Sequence, residues 1–235
     1  MGGLCGKSKI QPAAGPWLEV PSDYRKRRCV IPDPAQRAVT LKQLYRFAKL
    51  VQERLVDKPI TDTDPGSASC GQFITWDNLT LRHVEAHFVD ALTKPFGCSF
   101  AELVSKDHEQ HPNWCVCHYG RERLQDVLVL LSHHAKCHEL PNTTTYWISL
   151  FAFGPRDAVA MNAELQNSCD PEGLPFARAL NSESCVGSVT LVGPTCKALG
   201  NLYCLMETYV AMKTRDRFCD ICAMAKTGGQ EGGMQ

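Results

Sequence analysis

Residues 145–153 read TYWISLFAF, a run with only two small hydroxyl residues among aromatic and aliphatic side chains. A strand with one wet face alternates polar and apolar positions, whereas a strand covered on both faces does not. The run is therefore expected to be an inner strand of a sheet with helices on either side. Working outward, 113–119 (NWCVCHY) and 186–192 (VGSVTLV) have the same short, bounded, β-branched or aromatic character. Between them, 121–137 places Leu124, Val127, Leu128 and Leu131 at helical spacing. A polar helix is expected at 156–167 and a short one at 175–180. A last helix is expected at 199–215, with Leu199, Leu202, Met206 and Tyr209 as its inward stripe. Strand and helix in alternation imply a mostly parallel sheet joined by right-handed crossovers.

Upstream the pattern is helical. Thr40 and Gln43 form a capping-box pair ahead of Leu41, Leu44, Ala48, Val51 and Leu55, and Lys58-Pro59 ends that helix. Residues 61–71 (TDTDPGSASCG) read as a loop. A second helix is expected over 77–93, stopping before Pro95, and Ser99 with Glu102 caps a short helix at 100–105. The implied organisation is a basic, irregular leader over 1–36, a helical annex over 37–108, an α/β domain over 109–217 and a flexible tail over 218–235.

Charge is balanced overall, with 25 basic and 25 acidic residues, but unevenly spread. Residues 1–60 hold 12 Lys/Arg against 5 Asp/Glu. Such asymmetry points to an anionic surface near the N-terminus or to docking between the two parts. Nucleic acid is not the expected partner, because the Arg25-Lys26-Arg27-Arg28 run has only Tyr24 beside it for stacking. The 13 cysteines are not preceded by an apolar leader of secretory type, and no stretch nears the roughly 20 apolar residues of a membrane span. Reduced thiols in a cytosolic protein are the expectation.

The first ten residues, MGGLCGKSKI, contain Gly6-Lys7-Ser8, the end of a phosphate-binding loop. The first glycine of such a loop would fall on Met1 with no strand before it, so that reading fails. Gly2 followed by small uncharged residues fits N-myristoylation, although position 6 is Gly6 where Ser or Thr is usual. One acyl chain binds membranes only marginally. Cys5 as a palmitoyl acceptor and the basic residues behind it would supply the second signal. A peripheral membrane location is thus expected.

Six of the eight histidines lie between His108 and His138, with Cys115, Cys117 and Cys137 among them. Tetrahedral zinc needs four convergent ligands. Cys219-x2-Cys222 has metal-type spacing but no obvious second pair, so no metal ligand is assigned and a zinc-supported structural module stays an alternative. A Cys/His nucleophile would need a third orienting group that spacing alone does not supply.

The segments CVCHYGRERLQDVLVLLSHHAK, TYWISLFAF, LPFARAL, GSVTLV and NLYCLMETYV, in that order, resemble a largely uncharacterised protein family abundant in dinoflagellates and other protists. The resemblance covers about residues 95–212. That family looks like a distant relative of Toll/interleukin-receptor (TIR) domains, and the likeness implies an α/β, TIR- or flavodoxin-like three-layer sheet. In enzymatic TIR members a glutamate in a Trp-Cys-x-x-Glu motif serves cleavage of the nicotinamide–ribose bond of NAD. Here Cys204 and Glu207 keep that motif's end, and His118, Asp126, Tyr146, Trp147, Pro175 and Phe176 match the protist pattern. The family's Ser is Cys117, its Trp-Trp-Gly is Tyr119-Gly120-Arg121, and its Asn-Asn-Gln is Phe153-Gly154-Pro155. Its Arg and Trp are Asn201 and Tyr203. Framework retained with polar positions lost implies a non-catalytic interaction or signalling module held at a membrane. The alternative is an NAD(P)-consuming glycohydrolase using Glu207, with His118 orienting the substrate. No cofactor is implied beyond NAD in that second case.

Overall fold

The computed structural model describes residues 29–105, 110–154 and 173–224. Lipidation at Gly2 and Cys5, the polar helix of 156–167 and the GGQEGGMQ tail lie outside the described residues. The core is a five-stranded α/β sheet: β1 (Val39–Thr40), β2 (Trp114–Cys117), β3 (Thr145–Ile148), β4 (Gly187–Val192) and β5 (Phe218–Ala223). Their order is β1-β3-β2-β4-β5. Only β1 is antiparallel to its neighbour; the other pairings are parallel. The polypeptide therefore winds one way from β2 to β3, then returns past β2 to lay down β4 and β5. That reversal leaves a crevice at the carboxyl ends of the inner strands, where ligands of doubly wound sheets bind.

Alternation along the strands builds two cores. Trp114, Val116, Tyr146, Ile148, Val189 and Leu191 face one side. There they meet α1 (Leu41–Asp57) and α4 (Leu124–Cys137). Cys115 and Trp147 face the other side, toward α6 (Pro175–Leu180) and α7 (Leu202–Lys213). The upstream helices share the first core directly. Phe47 of α1 packs edge-on against Phe100 of α3 (Phe100–Val104) at 4.8 Å and against Phe151 at 5.4 Å.

Caps set the helix starts as their chemistry requires. Both arms of the Thr40/Gln43 capping box form, and so do those of Ser99/Glu102. The helix expected from residue 77 starts four residues later, as α2 (Leu81–Val84), because Thr80 takes the capping role. Asn78 Oδ1 instead accepts from Thr75 N at 2.7 Å and holds the preceding residues in a turn. The helix then runs through a π-turn, Glu85–Val89, into Asp90–Thr93.

Three further expectations are corrected. The strand read over 145–153 stops at Ile148, and Ser149–Ala152 forms a short helix, α5. The inward face of α7 is Cys204, Val210 and Ala211, while Leu199, Leu202 and Tyr209 of the expected stripe are exposed. Part of the expected tail is β5, paired along its whole length with β4. Among the described residues no helix is long and apolar enough to cross a membrane.

Candidate functional site

β2 ends at Cys117 and β3 at Ile148, and the two strands are parallel neighbours. The residues that follow, His118 and Ser149, therefore emerge side by side at the carboxyl edge, with His118 Nε2 3.3 Å from Ser149 Oγ. Glu207 arrives from a different element. Asn201 caps α7 by accepting from Cys204 N at 3.2 Å. This start carries Cys204 under the sheet, where Cys117 Sγ donates to its carbonyl at 3.4 Å. Thr208 Oγ1 donates to the same Cys117 sulfur at 3.9 Å and lies 3.1 Å from Thr190 Oγ1 of β4. These contacts fix the helix on the sheet and hold Glu207, half-buried, beside Cys117.

Glu207 and His118 line one cavity of about 690 Å³, within the usual range for a small-molecule site. Its walls are apolar and aromatic, with Trp147, Phe153, Phe176 and Tyr203 supplying ring faces or edges. Trp147 is positioned by its Nε1, which donates to Pro34 O at 2.9 Å, and by edge-on contacts with Phe153 and Phe176 at 5.9 Å. Gly154 closes one wall because a Cβ there would sit 2.7 Å from the backbone of Cys98. The mouth is formed by α2, its π-turn and the helical turns that follow, which present Arg82, Glu85, Asp90 and Lys94. Arg82 lies 3.7 Å from Asp64, and Lys94 lies 2.7 Å from Asp90.

Burial sets the electrostatics. It raises the Glu207 carboxyl to about 7, with a hydrogen bond to Cys117 pulling the other way. It lowers the His118 imidazole to about 4, partly offset by the backbone of Tyr119. The Cys117 thiol is pushed up by its hydrogen bond to Cys204, by burial and by the Glu207 charge. Glu85 at the mouth is also raised, by burial and then by Asp90. At neutral pH the cavity holds an uncharged imidazole and a carboxyl poised between its two protonation states. Such a carboxyl can donate, accept or be ionised by an incoming cation.

The structure thus brings together both residues assigned as catalytic from the sequence. Of the framework positions, Trp147, Pro175 and Phe176 line the cavity. Asp126 does not; it is buried under Arg123, which donates to it in two hydrogen bonds of 2.7 and 2.8 Å. Ser149 went unrecognised because an unbroken strand was expected there. Glu85 was missed because a π-turn has no sequence periodicity of its own. Cys219 and Cys222 cannot share an ion: they pack on opposite faces of β5, against different cores. Cys115 faces Cys185, with the sulfurs 3.8 Å apart, and Cys117 faces Cys204. Comparison with family models, curated proteins and solved structures finds no match to this chain.

Proposed function

We propose that the cavity takes a nucleotide-like ligand and that the chain is an NAD(P)-consuming glycohydrolase with Glu207 at the reacting centre. One observation carries this reading: Glu207 and His118, far apart in sequence, line a single cavity at the carboxyl edge of the sheet. The aromatic walls suit a planar ring, and the Glu207 carboxyl among them suits a ligand that brings positive charge. A pyridinium ring entering beside Glu207 favours the carboxylate over the acid by direct Coulomb attraction. When the C1′–N bond breaks, nicotinamide leaves with the bonding electron pair and becomes neutral. The positive charge passes to the ribosyl ring, where the Glu207 carboxylate stabilises it. Water then adds to C1′ and gives up a proton to Glu207, which returns it to solvent. In this reading His118 and Ser149, hydrogen-bonded to each other, orient the ribose hydroxyls. Purified full-length protein incubated with NAD is expected to release nicotinamide, and Glu207→Gln to lose that release. Release unaffected by the substitution, or none from the unaltered protein, sinks the reading.

A second reading rests on a different observation. Leu202, Tyr203, Leu205, Tyr209 and Met212 stand exposed on α7, with Leu202 at 78% and Met212 at 74%. A contiguous apolar face of this kind marks an interaction surface. It supports the signalling-module alternative, in which the N-terminal lipid and basic residues hold the chain at an anionic membrane. Co-sedimentation of the full chain with phosphatidylserine vesicles, lost in Gly2→Ala, is the expected result; equal binding by both forms counts against it.

A further inference from the structure

We propose that His134, His138 and Asp220 form a binding site for a zinc ion, at the end of the sheet opposite the cavity. His134 and His138 are four residues apart at the carboxyl end of α4, so helical geometry puts both rings on one face. Asp220 comes from β5, across the sheet edge. His138 Nε2 lies 2.6 Å from Asp220 Oδ2, and His134 Nε2 lies 3.2 Å from the same oxygen. One ligand atom from each residue falls within 4.8 Å of the other two. Trp114 and Tyr146, which pack on these rings, sit at the starts of their strands, whereas His118 and Ser149 follow the ends. The two sites are therefore separate.

Three features go beyond proximity. The donors are two imidazoles and one carboxylate, the set that zinc takes when water fills its fourth position. The far nitrogen of the buried ring, His134 Nδ1, is 3.1 Å from Tyr146 Oη. With Nδ1 donating to that hydroxyl, the Nε2 lone pair points at Asp220, the outer-shell arrangement that orients metal-bound histidine. In that tautomer Nε2 and the Asp220 carboxylate are two acceptors 3.2 Å apart, a pair that an ion between them satisfies. In the other, Nε2 donates to Asp220 and Nδ1 accepts from Tyr146. The second arrangement makes a hydrogen-bonded His–Asp–His network the competing outcome.

Both rings are also locked by packing. Trp114 stands edge-on to His134 at 4.4 Å and tilted against His138 at 5.0 Å, and Phe218 closes on His138 at 5.9 Å. Ligands already held in position lose little freedom when an ion arrives. His138 and Asp220 remain 30% and 27% exposed, which leaves a path for entry and a face for water. An ion here would fasten the edge strand β5 to α4, joining elements more than 80 residues apart.

The test uses full-length protein stripped with a chelator and titrated with Zn²⁺ against a colorimetric zinc indicator. One equivalent is expected to bind, with a rise in thermal midpoint. His138→Gln and Asp220→Asn, both at partly exposed positions, are expected to bind at least tenfold more weakly while keeping the wild-type far-ultraviolet circular dichroism. Tyr146→Phe is expected to weaken binding by about 10- to 100-fold. Cobalt substitution reports the donors. Visible bands without thiolate charge transfer support the assignment. No stoichiometric binding overturns it, as does zinc binding that persists unchanged in both ligand variants and is therefore held by cysteines. Uptake of ferrous iron but not zinc overturns the choice of ion.

Discussion

His118 Nε2 lies 3.3 Å from Ser149 Oγ, a contact that ties together the carboxyl ends of two adjacent parallel strands. It exists because β3 ends one residue before Ser149 and α5 begins there. Ser149→Ala is expected to cost about 0.5–1.5 kcal/mol, the net worth of one hydrogen bond. It should also lower NAD turnover through KM more than kcat if Ser149 holds ribose. Urea unfolding and steady-state kinetics of the same variant separate the two effects.

Glu207 has a folded-state value of about 7 against an ordinary 4.5. The folded chain therefore holds a proton there that the unfolded chain has released. Stability from this group is fully present below pH 4.5 and is lost as pH rises toward 7. Glu207→Gln cannot ionise, so its stability relative to wild type is expected to improve across that window by about 1–2 kcal/mol, tempered by the side chain's partial exposure. Paired urea melts at pH 4.5 and 8 check it. The same variant is expected to lose nicotinamide release by about 10²- to 10⁴-fold.

His118 gives the opposite slope. Its value falls to about 4 from 6.5, so the unfolded chain takes up a proton that the folded one refuses. Its contribution is present above pH 6.5 and is lost as pH falls toward 4. His118→Gln is expected to flatten the acid limb of a thermal-midpoint profile over that interval. An unchanged limb would show that the imidazole titrates normally.

Arg37 and Glu102 are both buried, with Nε and Oε2 3.8 Å apart. Arg37 also donates to the carbonyls of Ile31 at 2.7 Å and Ala152 at 3.1 Å, while Glu102 accepts from Ile31 N at 3.0 Å and Ser99 N at 2.7 Å. The pair thus joins the segment before β1 to α3 and α5. Glu102→Ala removes a carboxylate from beside a buried guanidinium, together with the hydrogen bonds it accepts, and is expected to destabilise by about 3–5 kcal/mol. A loss below 1 kcal/mol in guanidinium chloride melts would contradict this account.

Local sequence determined the elements whose signals are local. Thr40 with Gln43 and Ser99 with Glu102 start their helices by hydrogen bonds that span three residues, and the unbroken apolar strands declare a sheet covered on both faces. The α/β class follows from those alone, whereas Glu207 and His118 stand out only through the family resemblance and not through any local signal. Tertiary structure decided the rest. α7 carries apolar residues on every side, so periodicity could not choose its buried face; the Cys117–Cys204 contact and the cap at Asn201 did. The segment 218–223 has no unbroken apolar run, and its place as β5 comes from the hydrogen bonds that β4 offers. Asp220 meets His134 and His138, and Glu207 shares a cavity with His118, only because the crossovers bring distant elements to common ends of the sheet. Side-chain pattern records which face of an element shuns water, but not which partner will cover it.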